Sequence, residues 1–431
     1  MITNWSRSVR FRPAAVARPG TEAELVAALT AAAERGQGVR VIGAGHSFTP
    51  LIRTDGLLIS LDRLTGVSRV DPATGEVTLW GGTRIRDIAA LLAPWGLALP
   101  NMGDIDAQSI AGAVSTGTHG TGPAYTGYSG MVTGLRLALP DGRVLDCSAT
   151  EHPDLFAAAR VGLGVLGVIV AVRLRCVPAF TLTCRETTEP IRAVLADFVD
   201  RARAADHLEF FWFPGTPRAT VKQLTRGPAD APTRPMTRFD RVVNRELLGN
   251  VAFGALDAAA ASVPRLAPAV RAVASRWMAG AGFSDASHRV YVAPRRVRFH
   301  ETEYAMPLAA FAEVVPEVER AIVASGQQLT FPLEVRTSAA DDTWLGTAAG
   351  RETVYVAVHR YHREPFAPLL AAVEPVFAAH AGRPHWGKEH SLTADDLAVR
   401  YPRFDDFNRV RHGIDPDGVL LGPYLRELLG V

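Results

Sequence analysis

The sequence is short of cysteine, of net charge and of long apolar runs, and each shortage removes a class of protein. Its three cysteines, Cys147, Cys176 and Cys184, are odd in number and lack CxxC spacing. They therefore build neither a disulfide framework nor a zinc site. Forty-six Lys and Arg stand against 44 Asp and Glu, a formal charge of +2, so no strong basic field for nucleic acid exists. No apolar run reaches the roughly 18 residues of a membrane span, so no integral membrane segment is expected. Residues 1–12 are polar and basic without an apolar stretch, so no secretory signal is expected either, and a soluble cytoplasmic protein is the plain reading. Nor is there an internal repeat or a low-complexity tract.

What is present supports a large folded chain. Hydrophobic residues make up 48% of 431, enough to bury two or three domain cores. Helices and strands mix over the first 180 residues: helix at 19–36 capped by Thr21, strands at 39–42, 57–61 and 76–80, helix at 85–92. Residues 135–147 read as a hairpin around Asp141-Gly142. Beyond Pro178 come strands at 181–189 and 207–214 with a helix at 191–205 between them. Residues 215–247 carry seven Lys/Arg against three acids. Such a run is either a patch for an anionic partner or a solvated, variable excursion, and the second is the expectation. Helix at 256–278, strand at 301–306, helix at 308–325, strands at 330–337 and 353–359 and helix at 366–380 complete the pattern.

Two glycine-rich segments carry the chemistry. Gly43-Ala44-Gly45-His46-Ser47-Phe48 follows a strand but lacks the third glycine and the helix of a dinucleotide fingerprint. Its backbone N–H groups can still form an anion-binding nest. From Ser109 to Gly122 four glycines, five Ser/Thr and His119 let backbone approach a flat or anionic ligand closely. Glu334 and Arg336 sit two apart on a strand and so share one face. His359 and His362 could suggest a metal pair, but no third ligand stands at standard spacing, so no metal is expected. Ser115 lacks the GxSxG elbow and no HExxH occurs, which leaves hydrolase chemistry unsupported.

The segments at 43–48 and 109–122 resemble the vanillyl-alcohol-oxidase superfamily of FAD enzymes, and within it the aldonolactone oxidoreductases, with the alditol oxidases close by. Leu333-Glu334-Val335-Arg336-Thr337, residues 382–388 and residues 415–421 resemble the same family in order along the chain. Gly422-Pro423 depart from its usual Asn before the terminal Tyr-containing segment. The resemblance implies an α+β fold: an FAD-binding domain at 1–178, an antiparallel-sheet cap at 179–375, and a segment at 376–431 returning to the FAD domain. It implies FAD contacts from Gly43, Ala44, Gly45, His46, Ser47, Gly103, Asp104, Ser109, Gly112, Ser115, Gly117, Gly120 and Val168. His46 matches the histidine that many relatives bond covalently to the flavin; a simple hydrogen-bonding role is the alternative. Glu334, Arg336, Lys388 and His359 are the implied catalytic group, with His385 a rival base and His119 either a flavin-tuning donor or a structural ring. The implied reaction is oxidation of a sugar-1,4-lactone by hydride transfer to FAD, with O2 or a carrier as acceptor. An alditol, or a sugar within a larger metabolite, is the alternative substrate. On the sequence alone Glu334 is the one carboxylate placed near the flavin, which favours the lactone.

Overall fold

The computed structural model of the chain describes residues 1–277, 280 and 282–431. The helix expected over 256–278 is present as Phe253–Ser262 and Ala267–Trp277, and Met278 lies outside the described residues.

Thr21 caps the helix Glu22–Glu34 by accepting from the Glu24 N–H, and the buried face of that helix (Leu25, Leu29, Ala32) lies in one core with the parallel strands Val39–Ile42 and Leu57–Ser60. A second, antiparallel sheet runs in the order Val144–Ser148, Val132–Ala138, Val168–Arg175, Glu76–Trp80, Val67–Asp71. The two glycine-rich segments follow strand Val39–Ile42 and surround the short helix Ile110–Ser115, so both emerge beside these sheets.

The rest is dominated by an eight-stranded antiparallel sheet: Phe283–Ala286, Phe180–Pro190, Arg218–Pro228, His207–Trp212, Leu333–Ser338, Thr353–Tyr361, Phe299–Pro307, Arg383–Pro384. The strand Arg218–Pro228 corrects the reading of 215–247 as a solvated excursion. Its Ala219, Val221 and Leu224 are buried, and its hydrogen-bond edges are filled by strands on both sides. Thr and Lys at alternate positions hid a central strand whose polar face is also covered. The last strand, Arg383–Pro384, joins this sheet, and the helix Ala367–Ala379 spans the expected boundary at 375/376.

Alternation gives the sheet two unlike faces. Leu208, Phe210, Trp212, Leu333, Val335, Val354, Val356 and Val358 point into a dry core with Phe198, Phe311 and Phe377 from three covering helices. The other face carries Glu209, Glu334, Arg336, His359, Glu301 and Glu303; Glu301 stands opposite His359, and both Glu334 and Glu303 stand opposite Ala357. Charged groups on that face are tolerated because they meet one another, not oil. Thr121 and Gly122 fasten this sheet to the second glycine-rich segment: Thr121 Oγ1 donates to Leu208 O (2.8 Å), and Gly122 N to Thr337 O (2.9 Å).

A candidate active site at the meeting of two cavities

The first cavity is a cleft of 920 Å³, mouth included, and is built mainly from backbone and small side chains. Gly43, Ala44, Gly45, His46, Ser47, Ser109, Gly112, Ser115 and Val168 all line it. A Cβ at Gly43 would sit 2.3 Å from Ser109 Oγ, so the two glycine-rich segments touch there and only glycine fits. Ser109 is itself held, accepting from the Gly112 N–H at the start of Ile110–Ser115. The buried Arg40 also lines the cleft, donating to the carbonyls of Leu51 (2.7 Å), Leu163 (2.8 Å), Gly164 (3.0 Å) and Leu420 (2.5 Å). It thereby ties three distant loops around the cleft.

Four expected contacts lie elsewhere. Gly103 and Asp104 line the second cavity. Gly117 and Gly120 line neither: Gly117 takes a left-handed turn (φ 72°), and a Cβ on Gly120 would meet Met102 O at 2.3 Å. Backbone geometry explains those two glycines without a ligand.

The second cavity, 650 Å³, is lined by Trp5, Phe48, Asp104, His119, Phe299, Glu301, Glu303, Arg336, His385 and Lys388 among others. It shares His46, Ser47, Gln108 and Thr116 with the first, so the two are one continuous trough. At the junction Gln108 Oε1 is buried without a hydrogen-bond partner, which marks a place for a donor from a bound molecule. His46 stacks on Trp5 with ring centroids 5.5 Å apart. Burial, then Lys388 and Arg84, pull its pKa down to about 4, so the ring is neutral at pH 7.

Charge fills the far side. Arg336 contacts Glu334, reaches Glu209 Oε2 at 3.0 Å and Asp104 Oδ1 at 3.6 Å. Burial works against its charge, but these three carboxylates outweigh burial and keep the guanidinium protonated well above its ordinary range. Lys222 holds the other oxygen of Glu209 (2.7 Å), and Arg295 holds Asp104 (2.9 Å). Lys388 contacts Glu301, whose second oxygen lies 3.4 Å from His359 Nε2. Against burial, Lys388 and His359 bring the Glu301 pKa down to about 2. Glu334 goes the other way: burial outweighs Arg336 and raises it.

This corrects the expectation of a single carboxylate. Asp104, Glu209, Glu301, Glu303 and Glu334 all converge. Glu301 and Glu303 were legible by the reasoning used for Glu334 and Arg336, being two acids at alternate positions of an expected strand. Of the expected catalytic four, Arg336 and Lys388 line the cavity, whereas Glu334 and His359 stand behind it, against Arg336 and Glu301.

His119, Glu303 and His385 bring one ligand atom each within 4.8 Å of one another, all buried, which raises a metal site. The hydrogen bond of His385 argues against it. His385 Nδ1 accepts from the Gly387 N–H (3.1 Å), so its neutral ring carries the proton on Nε2 and presents a donor. Burial brings that ring's pKa down to about 3. His119 Nδ1 donates to Gly120 O (2.8 Å) and turns Nε2 to Glu303 at 3.4 Å, while Tyr355 stacks on the ring at 3.7 Å. His119 thus packs beside a cavity-lining carboxylate.

Comparison with known proteins gives a consistent result. Residues 172–428 match the D-arabinono-1,4-lactone oxidase family, and residues 13–148 match an FAD binding domain. The chain is 39% identical to an L-gulono-1,4-lactone dehydrogenase of Mycobacterium tuberculosis, over 99% of both chains. It is 31% identical to an alditol oxidase of a Streptomyces species, again over 99% of both. The fold resembles cholesterol oxidase from Brevibacterium sterolicum, with TM-score 0.85 at 19% identity over 99% of this chain and 96% of that one.

Proposed function

The chain belongs to the D-arabinono-1,4-lactone oxidase family, and from that premise we propose that it uses FAD to oxidise the C2 hydroxyl of an aldono-1,4-lactone (L-gulono-, L-galactono- or D-arabinono-) to an ascorbate-type product. The observation that carries this reading is the junction at His46 and Gln108. There a glycine-lined cleft suited to a dinucleotide opens into a cavity of paired charges suited to a polyhydroxylated ring. FAD supplies the hydride acceptor. In this reading residues 1–178 cradle FAD, 179–375 roof the substrate, and 376–431 deliver Lys388 to the junction. The cleft fits the cofactor: Gly43 leaves room only for backbone, and Gln108 Oε1 awaits a donor.

The protein's own groups then have distinct tasks. Arg336 and Lys388 place fixed positive charge where negative charge grows on the lactone oxygens. Glu301 and Glu303, held charged, accept hydrogen bonds from ring hydroxyls, and the carboxylate facing the C2 hydroxyl takes its proton as the hydride leaves; His385 offers its Nε2 proton to another oxygen of the substrate. Glu334 aligns Arg336, and His359 aligns Glu301; both are positioning residues in this assignment. The C2 carbon is held for transfer by these contacts, and a positional error near 1 Å costs about a hundredfold in rate.

His46 is the proposed point of covalent attachment. Its ring is neutral, hence nucleophilic, and Trp5 fixes its plane. After acid precipitation the yellow colour should stay with the protein and its mass should exceed the polypeptide by one FAD. A colourless pellet with FAD in the supernatant removes the bond but not the cofactor.

The electrons leave to O2 or to a carrier, and the proposed setting is the cytoplasm. The deciding experiment is anaerobic flavin reduction with a panel of lactones and alditols, followed by air exposure. L-Gulono-, L-galactono- or D-arabinono-1,4-lactone should reduce faster than xylitol or sorbitol at equal concentration. The alditol reading retains support from the convergence of five carboxylates and from the Streptomyces relative, so preference for alditols would transfer the assignment to it.

A further inference from the structure

The basic run at 215–247 divides in the folded chain. Lys222 is drawn onto Glu209, and Arg226 lies over the Tyr125 and Phe180 rings at 4.2 Å. Arg234, Arg238 and Arg241 stand exposed. Arg238 opens a continuous helix: Arg238–Asp240, then Arg241–Ala252 wound as a π-helix, then Phe253–Ser262. Its inner face is settled by the buried Asn250, Asp257 and Ala260.

The outer face is unusual. Leu247, Val251, Ala255 and Ala259 follow one another at intervals of four and are all exposed. Where a helix faces water, polar residues are the rule. Of the twelve exposed large apolar side chains among the described residues, six fall between 239 and 266, with Phe239 at 74% and Val251 at 63% exposure. No helix of the described residues is long and apolar enough to cross a membrane.

We propose that this helix lies on an anionic lipid surface, its apolar ridge entering the headgroup boundary and Arg234, Arg238 and Arg241 pairing with lipid phosphates. Apolar residues beside exposed arginines are the composition of an interfacial helix. The three exposed arginines at the N-terminal end of the ridge are complementary to an anionic surface. Hydrogen bonds also join this helix to the segment that reaches the cavity. Asn250 donates to Pro294 O (3.2 Å) and accepts from the Arg296 N–H (2.8 Å), and the intervening Arg295 holds Asp104.

The test is flotation of the full-length, FAD-loaded protein with vesicles of phosphatidylcholine and phosphatidylglycerol in equal parts, against phosphatidylcholine alone. Flotation with the anionic vesicles should be strong at low salt and fall as salt screens the arginines. Phe239→Glu with Val251→Glu should abolish it, and Arg238→Glu with Arg241→Glu should weaken it at least about tenfold. Bound FAD and melting temperature should stay unchanged in both variants. Absence of flotation at low salt overturns the proposal, as does flotation of the variants equal to that of the parent. A dimer in sedimentation that Phe239→Glu dissociates, without flotation, gives the ridge to a second copy and overturns it too.

Discussion

Around Gly43 and Ser109 the trough is made of backbone, with Arg40 and Asp62 as its charged lining. A few residues away, around Arg336, five carboxylates meet four Lys/Arg and three histidines. The first region offers backbone and small or apolar groups and so recognises a shape. The second compensates charge with charge and so recognises a developing charge. A change on one side should therefore impair holding the cofactor, and a change on the other should impair using it.

The strongest test of that division is Arg336→Ala. It should slow flavin reduction by the preferred lactone by at least about a hundredfold, the size expected of one preorganised electrostatic group. FAD content should remain. Arg336→Lys should recover only part, because one ammonium cannot face Glu209, Glu334 and Asp104 together. Loss of FAD in parallel with rate would erase the distinction.

The mirror experiment is Gly43→Ala. The added methyl meets Ser109 Oγ at 2.3 Å, and overpacking of this kind costs about 1–3 kcal/mol. Melting temperature and FAD content should fall together, while molecules that keep FAD should be reduced at the parental rate. A slow rate in the loaded fraction would show that the cleft also shapes the chemistry.

A smaller effect separates the regions by pH. Burial holds His46, His207 and His390 neutral down to about pH 4 and His385 to about 3. An unfolded chain takes up those protons near pH 6.5, so it binds more protons than the native state and stability falls as pH drops from 6.5 toward 4. The slope is about 1.4 kcal/mol per pH unit for each such proton. Only His46 lines the cofactor cleft, so His390→Gln should lower the slope by about one proton without changing FAD retention. An unchanged slope would mean that His390 is protonated in the native state.

Much of the cofactor side was legible because its constraints are local. Glycine spacing, the Asp141-Gly142 turn and the Thr21 cap act within a few residues, and Glu76–Trp80 and Ile85–Leu92 lie where patterning puts them. The charged side was half legible. Arg336 and Glu334 betray themselves by alternation, and Glu301 and Glu303 could have done so. Asp104 could not: its partners Arg295 and Arg336 are 191 and 232 residues away and meet it only once the roof is in place. The strand Arg218–Pro228 was hidden for a related reason, since Lys222 at its centre is turned onto Glu209 of the next strand.

The two unlike faces of the eight-stranded sheet bear on how this enzyme can change over generations. Inserting or deleting one residue ahead of Leu333 would turn Glu334 and Arg336 into the oily core and Val335 into the cavity, ruining fold and chemistry together. Point substitutions at Glu301, Glu303 or His385 leave the register intact and disturb only the local balance of charge. Lineages of this protein are thus free to explore new substrates by exchanging letters, while shifts of reading position along these strands are closed to them.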